Sequence, residues 1–330
     1  MRSFFNSFAV PGGVLVACAV LALRFDIAPL PPAPVLEFCV FALAAAGLLL
    51  AWRFNSTRSF LALTLVILAQ WGLRSFAGTP AAHIGFTTIA VLLPLNFLLL
   101  AWFVEPGFSL STIAAGMVPI FIQATAVAVI CRPDDFPGPA WLDRTPLPAS
   151  LTSWSHVPQL PLFAFVAALI MTLLRFALDR KPLEGGLFWS VAACLLAVRA
   201  RGSSVSAGAY LLTAVLVLVV CLVETSYRMA YHDELTGLPG RRAFNDAVRQ
   251  LKHRYALAVV DVDHFKKFND TYGHDTGDQV LKMVASRLAE VTGGGEAFRC
   301  GGEEFAIVFP HRSAADAALH LERLRQTIEY

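Results

Sequence analysis

Charged side chains are scarce in this sequence. Only 15% of its 330 residues are Asp, Glu, Lys or Arg, and 56% are hydrophobic, whereas soluble domains carry about 25% charged residues. A single ordinary soluble domain is therefore excluded, and so is a disordered chain, because there is ample apolar surface to bury. The formal net charge of +2 gives no argument for nucleic-acid binding, which needs a basic surface.

Closely spaced cysteine pairs are also lacking. None of the six cysteines forms a C-x-x-C pair, and five lie in or beside apolar runs. We interpret them as small buried hydrophobic residues and not as a disulfide framework or a metal site. They are Cys18, Cys39, Cys131, Cys194, Cys221 and Cys300.

The few charges are unevenly distributed. Residues 1–230 contain 22 charged side chains, whereas the last 100 residues contain 28. This shift predicts a transmembrane sensor or anchor domain over residues 1–228 and a water-soluble domain over residues 229–330.

Eight segments are apolar enough to be spanning helices, which need about 20 mostly apolar residues. The third contains Gln70 and Arg74 and the seventh is short, so seven spans is the alternative count. The first also resembles a secretory signal, but we favour an uncleaved helix because seven further spans follow it. The eight lie at about 8–24, 35–53, 59–77, 84–104, 108–131, 158–178, 185–200 and 205–226.

Polar groups in the membrane part leave several interpretations open. Gln70, Asn96 and Gln123 either bridge helices or line a ligand pocket. The loop at about 132–157, rich in Pro and Asp, is either a solvated connector, which we favour, or a contact for an external ligand. The absence of several ionisable residues in any one span disfavours a transporter. Loop Arg and Lys residues favour a cytoplasmic C-terminus only slightly.

The soluble part alternates helical and strand patterns. We predict a helix at 241–253, a buried strand at 255–260, a helix from Phe265, a helix at about 277–291, a hairpin of strands at 296–300 and 305–309, and a helix at 313–329. This order indicates an α/β sandwich.

Carboxylates cluster at the predicted strand ends. Asp261 and Asp263 end the buried strand, where alternation points them to opposite faces. Glu303 and Glu304 follow the Gly301-Gly302 turn on a hairpin that could lie beside that strand. Carboxylates converging at a strand end suit Mg²⁺, and paired Mg²⁺ ions promote nucleotidyl transfer.

Neighbouring residues fit a bound phosphate. The Gly-Gly turn would let a bulky ligand lie on backbone. Lys266 and Lys267 begin a helix whose N-terminal amides also favour an anion. Each feature has an ordinary alternative: a solvated strand end, a hairpin turn, a solvated Lys pair, or a capping or core role for His274. Their combination and order favour a nucleotide site.

Four blocks, in order, resemble the GGDEF family, the diguanylate cyclases of bacterial second-messenger signalling. The first block has Gly240 where the family usually has Asn. The blocks are 233–242 (DELTGLPGRR), 261–266 (DVDHFK), 269–278 (NDTYGHDTGD) and 299–305 (RCGGEEF).

The resemblance implies a fold and a reaction. The fold is that of nucleotidyl cyclases and the polymerase palm, with a central antiparallel sheet flanked by helices. Two GTP condense to cyclic di-GMP and two pyrophosphates, and each protomer of a homodimer binds one GTP. The implied cofactor is Mg²⁺ or Mn²⁺.

The resemblance also implies residue roles. Asp261, the Val262 carbonyl and Glu303 would hold metal, Glu304 would support that site, and Glu303 would deprotonate the 3′-hydroxyl. The implied nucleotide contacts are Asn269 and Asp278 to guanine, backbone or side-chain contacts of Phe265 and Lys266 to phosphate, His274 near the nucleotide and Leu235 near the base.

Two departures from the family pattern stand out. Residues 292–295 (TGGG) replace the R-x-x-D motif of product inhibition, so we expect no product feedback through that site. Family domains continue beyond the position of Tyr330, so we expect the GGDEF domain here to be incomplete at its C-terminus.

We therefore expect a multi-pass diguanylate cyclase in the bacterial inner membrane, with its GGDEF domain in the cytoplasm. A membrane sensory domain would regulate it, and the lipid bilayer, GTP and a second copy of the chain would be its partners. The alternatives are a degenerate nucleotide or cyclic di-GMP receptor without catalysis, and a membrane transporter with a regulatory tail.

Overall fold

The computed structural model describes residues 8–27, 29–103, 107–132, 146–148, 152, 155, 157–251 and 254–329. The chain divides into two compact units, Met1–Thr225 and Ser226–Tyr330. Most of the predicted loop at 132–157 lies outside the described residues.

In the described part of the first unit, every secondary-structure element is a helix. One π-helical turn, Ala9–Gly13, precedes the α-helices. These are α1 (Val14–Arg24), α2 (Ala33–Arg53), α3 (Thr57–Phe76), α4 (Ala82–Trp102), α5 (Leu110–Ile130), α6 (Gln159–Asp179), α7 (Pro182–Arg199) and α8 (Ser204–Tyr231).

Seven of these helices, α2 to α8, are long and apolar enough to cross a membrane. The two predicted spans that looked weakest, α3 and α7, both have sufficient length. The segment that falls short is the first, Ala9–Arg24, which contains non-helical backbone at Val10. Among the described residues, seven helices thus have spanning length, which is the alternative count.

A buried ion pair joins α3 to α7. The Arg58 guanidinium donates to both Glu184 carboxylate oxygens, at 2.6 and 2.8 Å, and these side chains are only 7% and 2% exposed. Arg58 also donates to the carbonyls of Leu100 and Ala101 at the end of α4, at 3.0 and 3.2 Å. One guanidinium thus connects three helices.

The interhelical interpretation of the membrane amides is confirmed for two of them. Asn96 on α4 donates to the Gln123 side chain on α5 at 2.6 Å and to the Leu92 carbonyl at 2.8 Å. Asn96 and Gln123 also line a pocket, and Gln70 lines a different one.

The second unit has the predicted order of elements. They are α9 (Arg241–Gln250), β1 (Tyr255–Asp261), α10 (Phe265–Tyr272), α11 (His274–Leu288), β2 (Glu296–Arg299), β3 (Glu304–Pro310) and α12 (Ala314–Glu329). The three strands form an antiparallel sheet in the order β1-β3-β2. The predicted helical first unit and the α/β second unit with an antiparallel sheet flanked by helices are both confirmed.

The core of the second unit lies between the sheet and its helices. The central strand β3 is buried from Phe305 to Phe309, and Leu281, Val284 and Leu288 of α11 belong to the same hydrophobic cluster. The continuous apolar run of β3 matches its burial on both faces.

Strand β1 corrects a prediction. Its apolar sequence predicts a buried strand, but Tyr255, Leu257 and Val259 are 50%, 43% and 73% exposed. In the described part of the sheet, β1 is an edge strand that buries one face, so burial alternates along it. An apolar run cannot by itself distinguish a strand buried on both faces from one that is not.

Candidate active site

The sheet register brings the end of β1 to the Gly-Gly turn. Asp261, the last residue of β1, is paired across the sheet with Glu304, the first residue of β3. The amides of Cys300 and Gly301 both donate to the Glu304 carbonyl, at 2.9 and 3.2 Å. Two blocks about 40 residues apart in sequence therefore meet at one end of the sheet.

The two glycines of the turn have different surroundings. A Cβ atom on Gly301 would lie 2.8 Å from Oε2 of Glu304, so this carboxylate packs directly against the turn. A Cβ atom on Gly302 would meet no atom within 4 Å. The turn thus presents open backbone beside a carboxylate, as a site for a bulky polar ligand requires.

Arg299 fixes the conformation of this turn. Its Nε donates to the Gly301 carbonyl at 3.2 Å and one terminal nitrogen donates to the Gly302 carbonyl at 2.7 Å. The other terminal nitrogen donates to the Asp233 carboxylate at 2.7 Å. The planar guanidinium therefore ties the turn to the segment that precedes α9.

Asp233 is held in its charged form. Its carboxylate also accepts from the amide and hydroxyl of Thr236, at 2.9 and 2.6 Å. Burial would raise the pKa of Asp233, but the hydrogen bonds from Thr236 and Arg299 outweigh burial and lower it. The sequence analysis assigned no role to this pair. The only hint in the sequence was that Asp233 opens the first matched block and Arg299 opens the last.

The predicted metal ligands supply hard oxygen donors. Asp261 and Glu304 are exposed, and Glu303 and Val262 are half-buried. No group of three His, Cys, Asp or Glu side chains poised for a metal is found in the described part of the chain. Mg²⁺ commonly binds one or two carboxylates together with substrate phosphates, so the donor chemistry fits this ion.

Asn269 lies on α10, and its side chain packs against α11. A Cβ atom on Gly277 would lie 1.8 Å from the Asn269 Oδ1, so only glycine permits this approach. That Oδ1 is buried and has no hydrogen-bond partner among the residues that the structure describes. Asp278, the other predicted guanine contact, is the residue after Gly277 and is exposed.

The remaining predicted residues lie around α10 and α11. The Phe265 side chain is 6% exposed, in the hydrophobic core, and its backbone amide donates to the Val262 carbonyl at 3.3 Å. Lys266 is exposed near the start of α10, and His274 is exposed at the start of α11. Leu235 is half-buried against the core.

Residues 230–330 match the family model described as "Diguanylate cyclase, GGDEF domain". Over 104 residues the chain is 43% identical to the diguanylate cyclase VdcA of Vibrio cholerae, covering 30% of this chain and 31% of that protein. It is 40% identical over 114 residues to the response regulator PleD of Caulobacter vibrioides, covering 32% of this chain and 25% of that one.

A solved structure, the coiled coil and GGDEF domain of DgcB from Caulobacter crescentus in complex with cyclic di-GMP, is 41% identical. The match covers 31% of this chain and 58% of that chain, with a TM-score of 0.29. The chain thus spans about a third or less of the curated relatives described above.

The sheet, the glycine turn and the carboxylates around it define a nucleotidyl-cyclase type of domain. Residues 230–330 are a GGDEF domain, and homologues of this domain are named diguanylate cyclases.

Proposed function

We propose that the protein is a membrane-anchored diguanylate cyclase that condenses two GTP to cyclic di-GMP and two pyrophosphates. The observation that best supports this proposal is the pairing of Asp261 with Glu304, which sets the end of β1 beside the Gly301-Gly302 turn. This arrangement lies within the matched GGDEF domain, and relatives named diguanylate cyclases support the assignment.

In this proposal, Asp261, the Val262 carbonyl and Glu303 hold Mg²⁺ or Mn²⁺, and Glu304 supports them. A bound divalent ion would neutralise charge on the phosphates. Asp261 and Glu303 need no close third carboxylate, because the phosphates of GTP supply further oxygen ligands.

Glu303 is the proposed general base. Its carboxylate accepts the proton of a 3′-hydroxyl, whose oxygen forms a bond to the α-phosphorus of the GTP on the other protomer. The bond from that phosphorus to the bridging oxygen breaks, and pyrophosphate leaves. In a second transfer the two nucleotides exchange roles: the other 3′-hydroxyl attacks the remaining α-phosphorus. This step closes the ring and releases the second pyrophosphate. General-base assistance of this kind accelerates reactions typically by about 10²–10⁴-fold.

Asn269 and Asp278 are the proposed guanine contacts. The unpartnered Oδ1 of Asn269 is a buried acceptor, and such a group destabilises the protein unless a partner arrives. An amide and a carboxylate match the acceptor and donor edges of guanine, whereas adenine would leave both mispaired. Phe265 and Lys266 supply backbone or side-chain contacts to phosphate, with His274 near the nucleotide and Leu235 near the base.

The proposed location is the bacterial inner membrane, with the GGDEF domain in the cytoplasm. Seven apolar helices of spanning length support insertion in a bilayer, and GTP is a cytoplasmic substrate. The functional unit is a homodimer, because each protomer brings one GTP. The membrane domain would regulate turnover by changing how two copies of α8 pair.

Glu303→Ala tests the catalytic assignment. We expect cyclic di-GMP formation from GTP and Mg²⁺ in detergent to fall at least about 100-fold, with no change in thermal unfolding, because Glu303 is half-buried in a turn and outside the core. Glu296→Ala, at an exposed position that begins β2, is the matched control and retains activity.

Two results would redirect the proposal. Undiminished cyclic di-GMP formation by the Glu303→Ala protein contradicts the role of Glu303. Tight GTP binding without turnover by the unaltered protein supports the alternative, a nucleotide receptor without catalysis.

A further inference from the structure

The membrane unit contains a cavity of about 520 Å³ at the end of the bundle where α3 and α7 end and α4 and α8 begin. Its polar lining consists of Glu37, Gln70, Arg74, His83, Arg201 and Ser204. None of these residues belongs to the candidate active site. We call this space the α8 cavity.

Gln70 is the most informative residue of the α8 cavity. Its side chain lines the space although the residue is only 6% exposed, and it has no hydrogen-bond partner within the part of the chain that the structure describes. Its polar atoms are not among the fully buried, unpartnered side-chain atoms of the described residues, so the carboxamide is reached from the cavity. A polar group held inside the cavity would satisfy Gln70.

The charges of the α8 cavity favour an anion. Arg74 already forms an ion pair with Glu37. Arg201 instead lies over the Phe86 ring, with its guanidinium carbon 4.5 Å from the ring centroid, and no acidic side chain of the described residues pairs with it. Stacking uses the face of a guanidinium and leaves the N–H edge free for a carboxylate.

The walls of the α8 cavity add an apolar surface. Leu73 and Phe76 of α3 and Leu211 of α8 line it beside the polar groups. Small-molecule sites typically combine such apolar walls with a few converging polar groups, in volumes of about 300–1,000 Å³. The volume and composition of the α8 cavity both fit that description.

We propose that the α8 cavity binds a small organic carboxylate. The carboxylate pairs with the Arg201 guanidinium, a polar group of the ligand hydrogen-bonds the Gln70 carboxamide, and its apolar body contacts Leu73 and Phe76. Because α8 begins at this cavity and continues in sequence into the GGDEF domain, binding here acts on the helix that carries that domain. This last consequence, unlike the binding itself, rests on the proposed function.

The test is thermal unfolding of the full chain in detergent with matched probes. Benzoate and 3-phenylpropionate are compared with their uncharged amides, benzamide and 3-phenylpropionamide, each at about 10 mM. We expect at least one carboxylate to raise Tm by mass action, with no rise for its amide. Arg201→Ala and Gln70→Leu should weaken the binding at least about tenfold.

The controls separate binding from folding. Gln70→Leu should leave the Tm without probe unchanged, because it removes no hydrogen bond found among the described residues. Arg53→Ala removes an exposed arginine outside the cavity and should not alter binding. If Arg201→Ala fails to fold, Arg201→Gln replaces it.

Three outcomes overturn the proposal: no stabilisation by either carboxylate, equal stabilisation by the amides, or stabilisation that survives the loss of Arg201. The readout does not require GTP turnover. A failed ligand site and a failed cyclase assignment are therefore distinguishable.

Discussion

At the scale of single residues, the candidate site depends on one directional side chain. Arg299 makes three hydrogen bonds, two to the carbonyls of the Gly-Gly turn and one to Asp233. Lysine could replace the charge but not this planar set of donors. Asp233 in turn holds Arg299, so its protonation state controls the anchoring of the turn.

Asp233→Asn tests this anchoring through its pH dependence. Because the folded-state pKa of Asp233 is lowered, its charge contributes stability above the unfolded-state pKa of about 3.9, and this is lost as pH falls through the folded pKa. At pH 7 we expect the variant to lose about 1–3 kcal/mol. The difference in unfolding free energy between the variant and the unaltered protein should shrink below about pH 4.

Thermal and denaturant unfolding of the full chain at several pH values would measure that difference. Asp270→Asn, at an exposed position, is the control and should show little difference at any pH. A difference for Asp233→Asn that stays constant down to about pH 2 would contradict the anchoring role.

Gly277→Ala tests the packing of Asn269. The added methyl carbon would lie 1.8 Å from the Asn269 Oδ1 and 3.1 Å from Phe265 Cζ, so the carboxamide must move. We expect a loss of about 1–3 kcal/mol in stability from overpacking and at least about tenfold weaker GTP binding, measured by calorimetry.

A double variant separates the two effects. Adding Asn269→Ala to Gly277→Ala should restore most of the stability, because the clash is gone, but not the GTP binding. Gly202→Ala, where a Cβ atom meets nothing within 4 Å, is the matched control. Unchanged GTP affinity in the Gly277→Ala protein would show that Asn269 does not contact the nucleotide.

At the scale of whole elements, the membrane bundle is joined by buried polar contacts as well as by apolar packing. The Arg58–Glu184 pair connects α3 and α7, and the same guanidinium reaches two carbonyls at the end of α4. Removing one member of such a pair leaves an uncompensated buried charge, which costs far more than the pair contributes.

Glu184→Gln should therefore destabilise the bundle by about 3–5 kcal/mol. Replacing both members, with Arg58→Met and Glu184→Leu, should cost less, because no lone charge remains buried. Unfolding of the full chain in detergent would measure both effects. Glu37→Gln is the comparison, since its partner Arg74 is 62% exposed, and it should cost about 1 kcal/mol or less. Equal losses for Glu184→Gln and Glu37→Gln would contradict this argument.

At the scale of the whole molecule, the proposed reaction needs two chains. Each GGDEF domain would hold one GTP, so the rate depends on how often two domains face each other. In the proposed function, the membrane unit would confine copies to one bilayer, where their effective concentration is high.

Dilution distinguishes this arrangement from a self-sufficient monomer. In detergent, cyclic di-GMP formed per mole of protein should fall as the protein is diluted below its dimer dissociation constant. In vesicles at a fixed ratio of protein to lipid, dilution should have no effect, because the density in the membrane is unchanged. Constant specific activity in detergent down to nanomolar protein would contradict the dimer requirement.

Local signals in the sequence were sufficient for the identity and order of the elements. Apolar runs of about 20 residues can only be satisfied as helices in a bilayer, and the order of helices and strands in the second unit follows from periodicity and turn residues. Motif spacing likewise located the carboxylates of the candidate site. The exception was the first apolar run, where the backbone at Val10 interrupts the helix.

Only the tertiary structure decided which residues meet across long sequence separations. The sheet order placed β1 at an edge of the described sheet and so exposed Val259, and the register paired Asp261 with Glu304. Arg299 bonds to Asp233 and Arg58 to Glu184, across long separations in sequence. Gln70 and Arg201 likewise come from distant elements to line one cavity. Residue type determines what a side chain can bond to, but its partner depends on packing, which no local pattern encodes.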